Sequence, residues 1–231
     1  MSLIKLKKSI IPSCDVDSLE KLDKLVKSTC SVKGVGAYKI GFELVIPFGM
    51  KSVVRIIRKH TKLPIIYDHQ KAGTDIPDMG KKFMNACKLV DAVILFPQAG
   101  PETEAAWIKA AQNAGMNVII GGEMTHKGYL RNENGFIDDD APKKMYEIAA
   151  SLGVTHFVVP GNKPEKCFEY DDLIKKQIKN PIYYSPGLIA QGGKISDLAK
   201  KLDSGHVIIG RAIYEAKDMK KAAEEFAKNL Y

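Results

Sequence analysis

Arginine is scarce in this chain. Of 35 basic residues only Arg55, Arg58, Arg131 and Arg211 carry a guanidinium, and the lysines are scattered along the sequence. Readers of nucleic acid exploit the bidentate arginine fork. The net charge of +8 therefore reads as solvated lysine faces, Lys143-Lys144 among them, and no nucleic-acid partner is expected. Cysteine is sparse as well. Cys14, Cys30, Cys87 and Cys167 lie far apart, with no CxxC pair and no histidine at ligand spacing. That pattern excludes a zinc site and a disulfide scaffold, and points to reduced thiols in a cytoplasmic protein. No apolar run approaches the roughly 18 residues of a membrane span, so no membrane partner is expected. The opening MSLIKLKKSII passes at once into PSCDVD, which makes it a first strand rather than a signal peptide.

What is present is a rhythm. Short apolar runs, beginning with Ser9–Cys14 and Val35–Ile40 and ending with Val207–Ile209, alternate with segments of helical period. Leu19, Leu22, Leu25 and Val26 mark the first such helix, and Pro142–Leu152 and Tyr214–Asn229 mark later ones. Eight strand–helix units fill residues 1–231 without a second core or a linker. This predicts an α/β protein, a single (β/α)8 TIM barrel domain with a parallel sheet covered by helices. In that architecture chemistry sits just past the C-terminal ends of the strands. The polar residues at those points are Asp15, Lys39, Asp68 with Lys71, Gln98, Glu123 to His126, Asn162, Gln191 and Arg211.

The third strand leads into the densest of these clusters. LPIIYDHQKAGTDIPDMG, residues 63–80, begins as an apolar strand and ends in Asp68, Lys71, Asp75 and Asp78. Ile76-Pro77 reads as the start of a helix with Asp75 as its N-cap. Charges crowded where a buried strand stops are either paired in a structural salt bridge or used in chemistry. Two stretches near the C-terminus read as an anion grip: Ser185 to Gly193, with Gln191, and Val207 to Ile213, with Gly210 and Arg211. Backbone N–H groups at a helix start favour phosphate, an arginine adds two parallel charged hydrogen bonds, and loops 7 and 8 are a frequent phosphate site. Helix-capping glycines are the structural alternative.

These motifs resemble the orotidine 5′-monophosphate decarboxylase family, in its short archaeal form. SPGLIAQGG (185–193) and IIGRAIY (208–214) look like its two phosphate motifs, and Glu123-Met124-Thr125-His126 is similar to its strand-5 segment. Cys14-Asp15-Val16, Tyr38-Lys39-Ile40-Gly41 and Val159 to Glu165 resemble its first, second and sixth strand ends. The resemblance implies loss of CO₂ from orotidine 5′-monophosphate to give UMP, the last step of de novo pyrimidine nucleotide synthesis, with no metal and no organic cofactor. It implies catalytic residues at Asp68, Lys71 and Asp75, with Lys71 as the proton donor to the C6 carbanion. It also implies a homodimer in which Asp75 reaches the neighbouring site. The implied substrate-binding set is Asp15 and Lys39 at the ribose, Thr125 at the pyrimidine edge, Gln191, Gly210 and Arg211 at the phosphate, and Ile76 and Pro186 beside them.

One departure stands out. The family's D-x-K-x-x-D-I is here D-H-Q-K-A-G-T-D-I, with one extra residue on each side of the second interval's lysine. Residues two apart on a strand share a face, so three apart requires a bulge or an early strand end to turn Lys71 inward; otherwise His69 or Gln70 points into the site. Asp15 and Thr125 have structural alternatives, as a helix cap and a turn residue. Two other functions stay open. One is a Mg²⁺-dependent sugar-phosphate lyase on the same barrel, of the hexulose-6-phosphate synthase or ketogulonate-phosphate decarboxylase type, against which Lys39 argues by replacing a glutamate ligand. The other is a non-catalytic nucleotide-binding homologue. The polar stretch 128–140 has no role legible in the sequence.

Overall fold

The structure, a computed structural model, describes residues 2–69, 73, 75–187 and 204–230. Eight parallel strands run through it: β1 (Lys8–Pro12), β2 (Tyr38–Gly41), β3 (Ile65–Asp68), β4 (Ala92–Leu95), β5 (Asn117–Gly121), β6 (His156–Val158), β7 (Ile182–Pro186) and β8 (Gly205–Ile209). Their order in the sheet is β1-β8-β7-β6-β5-β4-β3-β2. The gap between β1 and β2 is spanned by parallel bridges at Ile10–Val35 and Ser13–Lys39. There the Cys14 N–H donates to the Lys39 carbonyl at 2.8 Å, and the Gly36 N–H to that of Ile10 at 3.0 Å. The sheet is thus a nearly closed barrel, as the alternating pattern predicts.

Between the strands lie α1 (Leu19–Thr29), α2 (Phe42–Phe48), α3 (Met50–Arg58), α4 (Met79–Cys87), α5 (Pro101–Asn113), α6 (Ala141–Ser151), α7 (Pro164–Lys175), α8 (Arg211–Tyr214) and α9 (Met219–Lys228). In α1, Leu22, Leu25, Val26 and Thr29 share one buried stripe at helical spacing. Ser18 caps it, its Oγ accepting the Lys21 N–H at 3.2 Å. Asp15 is therefore not the cap of α1.

Three other expectations change. A single helix after β2 becomes α2 and α3, divided at Gly49, whose φ of +75° suits glycine. The last helix divides into α8 and α9, the second capped by Asp218. Asp75 does not cap α4, which begins at Met79. The Asp75 carbonyl instead accepts the Thr103 hydroxyl at 2.9 Å, and the Ile76 carbonyl the Trp107 Nε1–H at 3.0 Å. Side chains of α5 take the carbonyls that an earlier first turn would have used. The helix expected over 196–202 lies outside the described residues.

Side chains alternate across every strand. Outward residues such as Ile10, Tyr38, Ile40, Tyr67, Val93, Ile120, Phe157 and Val207 pack with the helices in one core. Inward residues such as Ile11, Ile66, Ile94, Ile119, Val158 and Ile208 form a second core in the lumen. Each such fully buried aliphatic side chain contributes roughly 1.5–3 kcal/mol. The lumen also takes polar residues at two levels, and the upper level is where the strands' C-terminal ends open to a cavity.

Candidate active site

A cavity of about 600 Å³ occupies the C-terminal mouth of the barrel. Ile94, Val158 and Ile208 lie at its floor, with Phe96 and Met124 beside them. Phe96 fits because its neighbour on the adjoining strand end is Gly121: a Cβ on Gly121 would lie 2.3 Å from the phenyl ring.

The polar wall is built by β1, β2 and β3. Strand alternation turns Ser13, Lys39 and Asp68 inward at one level. Lys39 is only 6 % exposed and Asp68 8 %. The Lys39 Nζ lies 3.2 Å from Asp68 Oδ2 and 3.6 Å from Asp15 Oδ1. It also donates to the Ser13 hydroxyl at 3.0 Å, and that hydroxyl donates to Asp15 Oδ2 at 2.7 Å. Burial alone would favour neutral lysine, but the Asp68 and Asp15 carboxylates outweigh it and hold the ammonium above the ordinary lysine range. Ser13 is a member of this network that the sequence reading passed over. Its position two residues before Asp15, on the same strand edge, was the available signal.

The adjoining wall comes from β7 and β8, since β8 pairs with β1. Pro186, Gly187, Gly210 and Arg211 line it, with Gly210 immediately before α8. Gly187 has φ +78°, and a Cβ there would meet the Thr125 Cγ2 at 3.3 Å, so glycine is required on both counts. Thr125 lines the cavity, and its carbonyl accepts the Asn162 amide at 2.8 Å. The Gly161 N–H bonds the Pro186 carbonyl at 3.1 Å, tying the turn after β6 to the end of β7.

The cavity thus brings together Asp15, Lys39, Asp68, Thr125, Pro186, Gly210 and Arg211. It does not take in Asp75 and Ile76, which are exposed and line a separate shallow groove with Pro77, Gly100 and Thr103. Lys71 and Gln191 lie outside the described residues, as does Gln70. His69 is turned away from the cavity: its ring packs against Tyr67 and Phe83 on the helix side, and its Nδ1 is hydrogen-bonded to the Tyr67 hydroxyl. His126 is exposed, edge-on to Tyr129. Among the described residues there is no group of three or more His, Cys, Asp or Glu side chains able to hold a metal ion, and no helix long and apolar enough to cross a membrane.

The 128–140 stretch is braced on the barrel. Tyr129 and Leu130 are buried, Leu130 bridges Ile137, and the Tyr129 hydroxyl donates to the Gly122 carbonyl at 2.9 Å. Phe136 at its outer end is 97 % exposed.

Known proteins with this arrangement point one way. The chain is 32 % identical over 218 residues to an orotidine 5′-phosphate decarboxylase of Methanocaldococcus jannaschii, covering 93 % of this chain and 96 % of the relative. It is 32 % identical over 230 residues to the enzyme of the same name from Methanococcus maripaludis, covering 97 % and 96 %. The crystal structure of orotidine 5′-monophosphate decarboxylase from M. jannaschii, complexed with inhibitor BMP, superposes with a TM-score of 0.82 at 28 % identity, over 96 % of this chain and 98 % of that one. The model of the orotidine 5′-phosphate decarboxylase / HUMPS family matches residues 8–226. With the barrel, the Lys39 network and the Gly210–Arg211 wall all in place, that span makes the chain a member of the orotidine 5′-phosphate decarboxylase / HUMPS family.

Proposed function

We propose that this chain decarboxylates orotidine 5′-monophosphate to UMP, with 1–231 acting as one barrel domain. The observation that carries the reading is one cavity that holds the buried Lys39 between Asp15 and Asp68, with Gly210 and Arg211 on the adjoining strand end beside Asp15. A nucleoside monophosphate has the matching chemistry. Its phosphate faces Gly210 and Arg211, with Gln191 completing the grip. Its ribose hydroxyls face Lys39 and Asp15. Its pyrimidine lies along Thr125 and Pro186, with C6 toward Asp68. A volume of about 600 Å³ suits such a ligand.

In the reaction the C6–carboxylate bond breaks, CO₂ leaves, and the electron pair remains at C6. The Lys71 ammonium stabilises that pair and supplies the proton that replaces CO₂. Asp68 faces the departing carboxylate. Two like charges ~4 Å apart repel by roughly 4 kcal/mol at an effective dielectric of ~20, and departure of neutral CO₂ relieves this. Remote binding of the phosphate contributes orientation, so a substrate lacking it loses rate as well as affinity.

The reading needs no metal. The Lys39 ammonium between Asp15 and Asp68 supports this, because a dication at those carboxylates would be repelled by it. This also disfavours a Mg²⁺-dependent sugar-phosphate lyase. Exposed Asp75 and Ile76, the latter 59 % exposed, support a homodimer in which both reach the neighbouring cavity.

UMP formation from orotidine 5′-monophosphate is expected at equal rates with and without EDTA. Lys71→Ala is expected to lose turnover and keep UMP binding, and an unchanged rate would overturn its assignment. A wild-type chain that binds UMP without turnover would instead be a nucleotide-binding relative. Mixing Lys71→Ala with Asp75→Ala protein is expected to restore activity through hybrid dimers; no restoration would remove the shared site.

A further inference from the structure

Glu123 is a carboxylate at the cavity that the proposed chemistry leaves unused. It is 2 % exposed, yet lines both the cavity and an adjoining groove that contains Glu133 and Lys163. A carboxylate so deeply buried requires compensation. Lys163 Nζ donates to Glu123 Oε1 at 2.8 Å, and the Tyr170 hydroxyl of α7 donates to Oε2. The same Nζ donates to Glu133 Oε1 at 2.6 Å, and Glu133 belongs to the 128–140 stretch. Burial disfavours the Lys163 charge, but the hydrogen bonds to Glu123 and Glu133 outweigh it and raise its pKa.

The consequence lies two residues along the chain, at Thr125. Three successive points of the strand-5 end are held from outside the strand. The Gly122 carbonyl is held by Tyr129, the Glu123 carboxylate by Lys163 and Tyr170, and the Thr125 carbonyl by Asn162. Asn162 and Lys163 are neighbours on one turn, and that turn is bonded to Pro186 through Gly161. Thr125 has little room to move, since it packs on Gly187.

We infer that Lys163 and Glu133 are positioning residues, which clamp Glu123 between the 128–140 stretch and α7 and so fix Thr125 at the pyrimidine edge; this rests on the proposed nucleotide reading of the cavity. Neither residue touches the ligand. The 128–140 stretch acts as a brace for the Thr125 end of the cavity, the specificity wall, while the phosphate wall of Gly210 and Arg211 follows β8, two strands from the braced turn after β6.

The separation of the two walls supplies the test. UMP and ribose 5-phosphate share the phosphate and sugar, so the ratio of their dissociation constants isolates the uracil contribution. Lys163→Met and Glu133→Gln are expected to raise the dissociation constant of UMP relative to that of ribose 5-phosphate about three- to tenfold, the worth of one well-placed hydrogen bond, while ribose 5-phosphate affinity stays at the wild-type value. With orotidine 5′-monophosphate, kcat is expected to fall about tenfold or more in Lys163→Met through misplacement of the ring, and Lys163→Arg is expected to restore it. A wild-type ratio in both variants overturns the proposal. So does an equal loss of both ligands in step with thermal stability, which is the signature of a merely structural ion pair. Should Lys163→Met fail to fold, Glu133→Gln decides alone, since its charge lies nearer solvent. A wild-type chain that prefers UMP but does not turn over orotidine 5′-monophosphate defeats the decarboxylase reading and leaves the ratio as the test of the clamp.

Discussion

At the upper end of the lumen Lys39 is buried with a countercharge on either side, Asp68 at 3.2 Å and Asp15 at 3.6 Å. At the lower end, two residues before the apolar layer of Ile11, Val158 and Ile208 on β1, β6 and β8, the buried polar groups are neutral. Ser9 Oγ is hydrogen-bonded to His206 Nδ1 at 2.8 Å, and His156 Nδ1 to the Tyr184 hydroxyl at 3.0 Å, with the Tyr184 ring tilted against the imidazoles of His206 and His156 at centroid distances of 5.0 and 5.7 Å. The apolar floor of Ile94, Val158 and Ile208 keeps the two levels apart. Burial presses on both in the same sense, against charge, and the outcomes diverge. Carboxylates keep Lys39 ionised, with its pKa raised. Among the described residues no carboxylate offsets the burial of the histidines, so burial lowers His156 to about 4, and burial together with His156 lowers His206 to about 3. The same barrel therefore uses ionised groups at the cavity and neutral hydrogen bonds below its apolar floor.

The sharpest way to break this contrast is Lys39→Met. It leaves Asp15 and Asp68 facing an apolar side chain at a level where their charge was balanced. The expected loss is about 3–5 kcal/mol of stability, as for other buried pairs broken on one side, with loss of nucleotide binding. Urea unfolding at pH 7 measures it, and a loss below about 1 kcal/mol would mean that the network is not compensated through Lys39.

Acid provides the next largest effect, and it acts on the lower level. Both histidines have folded pKa values below the unfolded 6.5. Above pH 6.5 neither state binds the proton and stability is complete. As pH falls from 6.5 toward 4 and 3, the unfolded chain takes up protons that the folded barrel refuses, and stability drops. At pH 5 this amounts to about 2 kcal/mol for each histidine, order of magnitude. Lys39 has the opposite sign: its contribution is present below the ordinary lysine pKa and is lost as pH rises past it. Unfolding free energies between pH 7 and 5 are expected to fall less steeply in His156→Gln than in wild type, and an unchanged slope would show that other groups carry the acid limb.

The strands were legible because their apolar runs are short and end in polar residues, a pattern that local periodicity captures. The cavity wall formed by Asp15, Lys39 and Asp68 was legible for the same reason, since inward alternation at three adjacent strand ends converges on one point. Features that rest on distant partners were not. Asp75 has the spacing of an N-cap, yet the helix starts at Met79, and the carbonyls of Asp75 and Ile76 are bonded by Thr103 and Trp107 of α5, partners distant in sequence. The division of the second helix depended on the backbone at Gly49. The 128–140 stretch reads as polar surface because its anchors, Gly122 and Lys163, are paired with it only in three dimensions. The unusual Asp68–Lys71 interval lies outside the described residues beyond His69, whose outward turn leaves the inward direction to be tested at Lys71.

Ser9→Ala gives the smallest effect and the finest cut between the two levels. At pH 7 it removes one partner from the His206 ring and introduces no charge, so the expected cost is roughly 1 kcal/mol, at the low end for an unmet buried hydrogen-bonding group. That is several-fold less than Lys39→Met, although Ser9 is the more deeply buried of the two. Depth alone would rank them the other way, and compensation of charge ranks them as stated. A double-mutant cycle with His206→Phe separates the hydrogen bond from the packing, because Ser9→Ala should then cost almost nothing. Equal losses for Ser9→Ala and Lys39→Met in urea at pH 7 would erase the distinction, and would mean that the lower network is held as tightly as the charged one.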